Sequence, residues 1–372
     1  MAPRISLFGI LLVQILSFQL LVSPDFFLAG AVVRGGYWLQ DLPLVNINFN
    51  YETHVYYAFA GLDPSSYQVV APTTDNGQYA TFVATAKSSN PSVVTLLSIG
   101  GGAANFTTFG EMVSTSTRRQ AFIDSSISLA RQYSYEGLDL DWESPQSQTE
   151  MENLALLLQE WRAAAHTEAQ SSGNTELLLT AAVSYQSILL YTGVGNQVWP
   201  ITAFNTYLDW VNVMTYDYHG SWEPTTTGEH TALYDPNSDV DTDYGINNWL
   251  SAGMQADKMC LGLAFYGKQW VLASLANTGV GAPATSGGDP ITYADIVTYN
   301  NAGGATVEQD STTVSMYSYK SDLTWIGYDN PDTIAAKVQY AQSKSLLGYF
   351  AWALHQDDAN FSLASAAQNA WT

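Results

Sequence analysis

The sequence predicts an α/β protein: a closed (β/α)8 barrel, or TIM barrel, with a small α+β insertion between the seventh strand and the last helices. Apolar, strand-like runs alternate along the chain with segments of helical periodicity. Several of these runs are nearly continuous in apolar residues, as parallel strands buried on both faces are. Because eight such runs are present, a closed barrel is favoured over an open sheet.

The helix after the fourth strand has the clearest periodicity. Apolar residues recur at helical spacing from Met151 to Ala165, and Thr149 followed by Glu152 predicts a capping box at its start. Another helix is predicted to begin at Asn330, which precedes a proline. The strands are predicted, in chain order, at Val33–Leu39, His54–Leu62, Val93–Gly101, Gly137–Glu143, Leu177–Tyr185, Trp210–Tyr218, Lys258–Tyr266 and Leu347–Leu354.

One long segment interrupts this alternation. Residues 268–325 are punctuated by Gly and Pro and contain one short strand-like alternation at Thr313–Tyr319. We therefore predict a small α+β insertion over residues 268–325, carried by a barrel domain that spans residues 31–372.

The composition excludes several classes of function. The chain has 372 residues, of which 47% are hydrophobic and 12% charged, so it can bury a large core and is not disordered. Twelve Lys and Arg against 34 Asp and Glu give a net charge of -22. Because so acidic a surface repels phosphate backbones and anionic lipids, neither nucleic-acid binding nor membrane-surface binding is expected. A monomer is expected.

Residues 1–30 have the pattern of a secretory signal peptide. Arg4 precedes an apolar run at 7–22, and small residues up to Ala31 form an A-x-A cleavage pattern. A membrane anchor is the alternative, but the run is short and ends at Pro24. We therefore expect secretion, to the outside or to the vacuole, and no membrane association once the signal is removed.

Two further features bear on the secretory route. Asn105 and Asn360 begin N-x-[ST] triplets, so both are candidate N-glycosylation sites. The single cysteine, Cys260, excludes an intrachain disulfide and is expected to be a buried small hydrophobe. Stability must then come from the core alone.

The predicted fourth strand carries the candidate catalytic groups. Side chains alternate along a strand, so Asp139, Asp141 and Glu143 share one face, while the intervening Leu, Leu and Trp share the other. The apolar face must pack on the helices, which points the carboxylates inward with Glu143 nearest the C-terminal mouth. Like charges this close disfavour full ionisation, so one acid should keep a proton, and Glu143 is a candidate general acid.

Other interpretations of these residues are weaker. An acidic edge strand conflicts with the apolar opposite face, and a metal site has no histidine in register. His219 and His355 lie near strand ends, but no HExxH motif or Cys pair supports a metal, and none is predicted. Gly100–Gly102 could bind phosphate, but no Lys-Ser/Thr follows to complete a phosphate loop.

The segment Gly137–Glu143 resembles the D-G-x-D-x-D-x-E signature of glycoside hydrolase family 18, the chitinases. The resemblance spans essentially the whole chain after the signal, insertion included. The other matching segments are Ser98–Gly101 at the third strand, Met214–Asp217 as the M-x-Y-D of the sixth, Gly348–Trp352 at the last, and two that are similar to plant class V chitinases in particular, Arg34–Trp38 and Thr324–Tyr328.

The resemblance implies a retaining hydrolase without a protein nucleophile or a cofactor. The family's roles fall on Glu143 as the acid, on Asp141 as the partner of the substrate's acetamido N–H, and on Asp139 as a proton-sharing partner behind it. Tyr216 would hold the acetamido carbonyl. The implied partner is chitin or an N-acetylglucosamine oligosaccharide, and the substrate-binding residues would be Met214, Asp217, Trp352 and Tyr37.

Three positions depart from the family pattern, and of these Thr215, which replaces a small apolar residue, should matter little. Glu136 replaces the first aspartate of the signature, but alternation puts it on the face opposite the three acids. Ser144 replaces the tyrosine that often follows the catalytic glutamate, which should reshape the mouth. Two alternatives to a chitinase stay open: a non-catalytic, chitinase-related lectin that binds carbohydrate, and an enzyme restricted to modified chito-oligosaccharides such as nodulation signals.

Overall fold

The computed structural model describes residues 32–371 apart from positions 41, 45–46, 73–76 and 192–194. The predicted signal peptide at residues 1–30 lies outside the described residues, so it stays a prediction. None of the helices among the described residues has the length and apolar content that a membrane crossing requires.

Strands and helices alternate along most of the described chain. The helices are α1 (Gln78–Ser89), α2 (Phe106–Val113), α3 (Ser116–Gln132), α4 (Gln148–Ser172), α5 (Ile201–Tyr207), α6 (Thr242–Ser251), α7 (Tyr293–Asn301), α8 (Pro331–Ser343) and α9 (Ser362–Ala370). The strands are β1 (Val33–Leu39), β2 (His54–Leu62), β3 (Val69–Val70), β4 (Val94–Gly100), β5 (Gly137–Asp141), β6 (Leu178–Ser184), β7 (Ile188–Tyr191), β8 (Gly195–Val198), β9 (Trp210–Met214), β10 (Met259–Ala264), β11 (Tyr266–Leu272), β12 (Ala284–Thr292), β13 (Thr306–Asp310), β14 (Ser315–Tyr319), β15 (Thr324–Tyr328) and β16 (Gly348–Trp352).

Eight parallel strands close into a barrel. Their order is β1, β2, β4, β5, β6, β9, β10 and β16, and β16 pairs again with β1. Each of them begins within one residue of a predicted strand. The predicted (β/α)8 fold class is therefore confirmed. Because all eight strands are parallel, their carboxyl ends meet at one mouth.

Several barrel strands end earlier at this mouth than predicted. β5 ends at Asp141, so Glu143 lies beyond its end, and β9 ends at Met214 rather than at Tyr218. Asp217 has a φ of 60°, in the left-handed region that a strand cannot contain. The predicted strands were too long because the apolar pattern continues past the last paired residue, where the backbone already turns around the opening.

The core has two layers. One fills the barrel interior and contains large rings such as Tyr56 and Phe350, together with Cys260, which is buried as expected. The other lies between the strands and the surrounding helices, and includes Leu157 and Val211. Burial on both faces explains why the strands are so continuously apolar.

The long helix α4 buries the face that its periodicity predicts, from Met151 to Ala165. Its start differs from the prediction. The helix begins at Gln148, and the Ser147 hydroxyl accepts a hydrogen bond from the backbone N–H of Glu150. The capping box at Thr149 was therefore wrong, because a serine two residues earlier already caps the first turn. At α8, Asn330 caps the helix as predicted.

The segment after the seventh barrel strand forms a separate antiparallel sheet. Its strand order is β12, β11, β15, β14, β13, and α7 connects β12 to β13. The sheet has its own small apolar cluster, which includes Trp270 and Trp325. The strand predicted at Thr313–Tyr319 begins at Ser315, because Val314 has a φ of 57°. β11 follows β10 almost directly, so this sheet is tied to the barrel mouth.

A buried carboxyl group outside the mouth makes stability depend on pH. Glu52 is 6% exposed, and its Oε2 atom has no hydrogen-bond partner among the described residues. Burial, and then the nearby Asp357, raise the pKa of Glu52 from 4.5 to about 8. An acid whose pKa is raised by folding contributes most stability at low pH, and this contribution is lost as pH rises to the folded value.

We therefore expect Glu52→Gln to be more stable than wild type at about pH 9, with a free energy of unfolding roughly 2–5 kcal/mol higher. Near pH 4.5 the two free energies of unfolding should differ little. Chemical denaturation at both pH values measures this. The variant Glu152→Gln, on the exposed side of α4, is the control and should follow wild type. Equal free energies for wild type and Glu52→Gln at pH 9 would contradict the account.

Candidate active site

A cavity of about 360 Å³ opens at the carboxyl ends of the barrel strands. Seven of the eight predicted site residues line it; the eighth, Asp139, lies beneath it, fully buried. Its lining is Tyr37, Phe59, Gly102, Ala103, Asp141, Glu143, Ala182, Met214, Tyr216, Asp217, Phe350 and Trp352.

The carboxylate column lies as the alternation predicts, with one difference. Asp139 and Asp141 belong to β5, whereas Glu143 follows the strand. Trp142 points the other way, is 3% exposed and stacks on Phe109 of α2. The apolar face of this segment therefore packs against the helices, and the acidic side chains project into the barrel and its mouth.

Asp139 is the deepest acid and is surrounded by hydroxyl donors. Oδ2 accepts hydrogen bonds from Tyr37 (2.9 Å) and Ser98 (2.7 Å), and Oδ1 accepts one from Thr180 (2.6 Å). Burial raises the pKa of Asp139, and these three hydrogen bonds oppose that rise. The carboxyl group is thus desolvated but well provided with donors.

Asp141 lies one layer higher and has a different environment. It is 3% exposed, and its Oδ1 atom makes no hydrogen bond to the described residues. Burial, followed by the charges of Glu143 and Asp139, raises the pKa of Asp141 well above its usual range. A proton shared within the column is therefore best held at Asp141. The Oδ1 atom of Asp141 is also available to a ligand.

Glu143 borders the cavity at the top of the column. Burial raises the pKa of its carboxyl group, and the charge of Asp217 adds to this effect. A carboxyl group that keeps its proton toward neutral pH and faces an open cavity is suited to protonate a leaving oxygen.

Asp217 is held in place from the insertion side. Its Oδ1 atom accepts a hydrogen bond from the Tyr266 hydroxyl (2.7 Å) and forms an ion pair with Lys268 Nζ (2.9 Å). His230 Nδ1 lies 3.7 Å away. Burial raises the pKa of Asp217, but the neighbouring imidazole, ammonium and phenol groups outweigh it and hold the pKa below its usual range. Asp217 is therefore a fixed negative charge at the mouth.

Tyr216 brings a hydroxyl group to the same cavity. The side chain is 9% exposed and its ring packs edge-on against Phe350. Burial, followed by the charge of Asp141, raises the pKa of Tyr216 well above its usual range. The phenol therefore keeps its proton and can donate a hydrogen bond to a ligand. Met214 lines the wall beside it.

Aromatic rings line the cavity together with the acids. Trp352 lies at a tilt to Tyr37, with ring centroids 5.5 Å apart, and stacks on Phe59 at 5.8 Å. Phe350 meets Tyr37 edge-on. Flat apolar rings next to a few polar groups are typical of ligand pockets and suit the faces of a sugar ring.

Sequence reasoning missed several contributors. Phe59 lies within a predicted strand without any signal that its ring reaches the cavity. Thr180, Tyr266, His230 and Lys268 were also missed, because their roles depend on pairing between strands and on the insertion. Only alternation could have pointed to Thr180, by putting it on the inner face of its predicted strand.

The departures from the family pattern have simple structural outcomes. Glu136 lies outside the cavity, where it accepts a hydrogen bond from the Thr95 amide and pairs with Lys87 at 2.7 Å. The prediction that it does not belong to the site fits this position. Ser144 contributes a backbone carbonyl to Gln146 Nε2, and Ser144 is not among the residues that line the cavity.

The two histidines near strand ends have other partners. His219 Nδ1 lies 2.6 Å from Glu223, and the His355 ring packs edge-on against Trp38. Among the residues that the structure describes, no group of three or more His, Cys, Asp or Glu side chains could hold a metal ion.

Gly102 lies close to the acid, so a side chain there would press on the Glu143 carboxyl group. A Cβ atom there would lie 3.0 Å from Glu143 Oε1 and 3.3 Å from Oε2, tighter than ordinary packing allows. We expect Gly102→Val to displace the carboxyl group and lower kcat about tenfold or more, with little change in Tm. Gly279→Val, at a glycine with open space around it, is the matched control. Wild-type kcat in Gly102→Val would contradict this account of Glu143.

Comparison with known proteins indicates the same family that the sequence motifs resemble. The glycosyl hydrolases family 18 matches residues 35–357. A class V chitinase of Lotus japonicus is 43% identical, covering 91% of this chain and 86% of that protein. A class V chitinase from Nicotiana tobaccum, solved in complex with NAG4, has a TM-score of 0.87 at 40% identity and covers 92% of this chain and 99% of its own.

A third similar protein, also of known structure, is named as an agglutinin. A chitinase-like agglutinin from Robinia pseudoacacia is 42% identical with a TM-score of 0.83, covering 91% of this chain and 100% of its own. The barrel and its acid-lined cavity are typical of a glycoside hydrolase. The chain belongs to the glycosyl hydrolases family 18, and its resemblance to the plant class V chitinases is confirmed.

Proposed function

We propose that the protein is a chitinase that hydrolyses β-1,4 bonds between N-acetylglucosamine units by a retaining, substrate-assisted mechanism. One observation carries the proposal: Glu143, with a raised pKa, borders a cavity that also contains Asp141, the Tyr216 hydroxyl and the Trp352 ring. Each of these groups matches one demand of the reaction.

In the first step Glu143 donates its proton to the glycosidic oxygen. The bond between that oxygen and the anomeric carbon breaks, and the leaving sugar departs as an alcohol. The acetamido carbonyl oxygen of the retained sugar attacks the same carbon, giving a cyclic oxazolinium ion. The substrate thus supplies the nucleophile, and the protein needs none.

Asp141 and Tyr216 stabilise this intermediate. The buried Oδ1 of Asp141 is available to accept the acetamido N–H, and a carboxylate there supports the positive charge. The Tyr216 hydroxyl, which keeps its proton, can orient the acetamido carbonyl for attack. Trp352 supports the distorted sugar from below, and Asp217 and Met214 line the same pocket.

In the second step water attacks the anomeric carbon. Glu143, now a carboxylate, takes a proton from that water, the bond to the acetamido oxygen breaks, and the acetamido group is restored. Two displacements at one carbon leave the product with the configuration of the substrate. Glu143 ends the cycle protonated and ready for another turnover.

A carbohydrate-binding lectin is the second candidate function. The 42% identical agglutinin from Robinia pseudoacacia favours it, whereas the complete set of three acids and Tyr216 favours catalysis. Incubating purified protein with N-acetylglucosamine oligomers and analysing the products separates the two. Cleavage supports the chitinase; binding without cleavage supports the lectin and overturns the proposal. A comparison with modified oligomers tests whether only these are substrates.

The setting of the enzyme is also a proposal. We expect secretion, directed by residues 1–30, and a monomer in solution. Asn105 and Asn360 are both exposed, Asn105 as the cap of α2 and Asn360 two residues before α9. Exposure gives an attached glycan room, which supports both as N-glycosylation sites.

A further inference from the structure

Beneath the acids, a chain of hydrogen bonds crosses the barrel interior. Trp210 Nε1 donates to Asn212 Oδ1 at 3.2 Å, Asn212 Nδ2 donates to the Tyr37 hydroxyl at 2.9 Å, and that hydroxyl donates to Asp139 Oδ2 at 2.9 Å. All four side chains are buried, with at most 4% of their surface exposed. The chain therefore connects β9 to β5 through β1, out of contact with solvent.

The chain can run in only one direction. An indole N–H is a donor only, and Trp210 Nε1 donates both to the Tyr56 hydroxyl (3.0 Å) and to the Asn212 amide. The Tyr56 hydroxyl in turn donates to the same amide at 3.5 Å. Two donors therefore face this side of the Asn212 amide, so its carbonyl oxygen must lie there. The amide nitrogen must then face Tyr37, and it too can only donate. Burial, and then the charge of Asp139, raise the pKa of Tyr37 well above its usual range, so this hydroxyl keeps its proton. That proton has Asp139 as its acceptor.

Asp139 consequently receives donors on both oxygens. Tyr37 and Ser98 donate to Oδ2, and Thr180 donates to Oδ1. A carboxyl group surrounded in this way is better satisfied as a carboxylate than as an acid. Asp141 Oδ1, in contrast, has no hydrogen-bond partner among the described residues, so a proton there disturbs no existing hydrogen bond.

We propose that Trp210 and Asn212 are positioning residues: by fixing the direction of the Tyr37 hydroxyl they keep Asp139 an acceptor, which leaves the proton of the aspartate pair on Asp141. This inference rests on the proposed function. The proton then lies on the acid next to Glu143. When the acetamido N–H arrives, this proton passes to the Asp139 carboxylate, which leaves Asp141 a carboxylate that accepts the N–H. The titratable groups that act on this pair are Glu143, Tyr37, Tyr56 and Tyr216.

The sharpest test is Asn212→Asp, which changes one group without changing its size. When protonated, the new carboxyl group can accept from Trp210 and donate to Tyr37, as the amide does. When ionised it can only accept, and it competes with Asp139 for the Tyr37 proton. We expect kcat near wild type at low pH and a loss of about ten- to a hundredfold relative to wild type as the new acid ionises.

Two further variants complete the experiment. Asn212→Leu removes the donor at every pH, so kcat should be about tenfold lower relative to wild type throughout, with KM within about twofold. Asn237→Asp makes the same chemical change at an exposed asparagine that does not line the cavity, so its pH profile should match wild type. A ratio of Asn212→Asp to wild-type kcat that does not vary with pH would overturn the proposal.

A second readout does not depend on turnover. With ¹³C-labelled aspartate, the carboxyl carbon of Asp141 should titrate at higher pH than that of Asp139 in wild type. In Asn212→Asp, where the ionised new carboxyl group competes for the Tyr37 proton, Asp139 should instead titrate at the higher pH. Asp139 titrating above Asp141 in wild type would overturn the inference. Because this measurement needs no substrate, it still decides the matter if the protein fails to cleave oligomers, which would count against the proposed function alone.

Discussion

The substitution Glu143→Gln is expected to lower kcat on N-acetylglucosamine oligomers by about 10²- to 10⁴-fold. The glutamine amide has nearly the same size but cannot protonate the glycosidic oxygen. The side chain borders the cavity and belongs to no core cluster, so folding and oligomer binding should persist. Initial rates give kcat, and calorimetric titration of oligomers gives binding.

Glu136→Gln is the matched control for this experiment. It removes a carboxylate from the same segment of chain, but that group pairs with Lys87 outside the cavity. We expect its kcat to match wild type. Near-normal activity in Glu143→Gln would contradict the assignment of the acid, and parallel losses of activity in both variants would indicate a general disturbance of β5.

The substitution Asp141→Asn should have the next largest effect, a fall in kcat of about 10²- to 10³-fold. The amide can still accept the acetamido N–H, but it cannot supply the negative charge that supports the oxazolinium ion. The loss should appear mainly in kcat, because the charge matters only once positive charge develops on the substrate.

The same variant should be at least as stable as wild type at neutral pH. The pKa of Asp141 is raised well above its usual range by burial, Glu143 and Asp139. A folded-state pKa above the unfolded value means that ionisation at higher pH costs stability, and a neutral amide avoids that cost. Thermal unfolding at pH 7 measures this. A fall in Tm that parallels the fall in kcat would mean misfolding instead of a lost role.

Strand periodicity alone predicted the barrel and the acid column. Parallel strands covered on both faces must be continuously apolar, so three acids alternating within such a strand stand out. Strand ends were less predictable. At Asp217 the backbone turns with a φ of 60°, a local choice that apolar patterning does not encode. The start of α4 was missed by two residues because Ser147 and Thr149 are both good caps.

The surroundings of the acids were beyond prediction. Thr180 meets Asp139 because β5 and β6 pair in one particular register, and register between strands cannot be deduced from either strand alone. Lys268 reaches Asp217 because β11 follows the seventh barrel strand closely and returns to the mouth. These partners are close in space but tens of residues apart in the chain.

The central claim is that the substrate's own acetamido group is the nucleophile. Time-resolved ¹H NMR of the wild-type enzyme with a fully acetylated tetramer and its fully deacetylated counterpart tests this most directly. The account predicts that the acetylated tetramer is cleaved, that the β-anomer of the new reducing end appears first, and that the deacetylated tetramer is left intact. Comparable cleavage of the deacetylated tetramer, or the α-anomer appearing first, would contradict it.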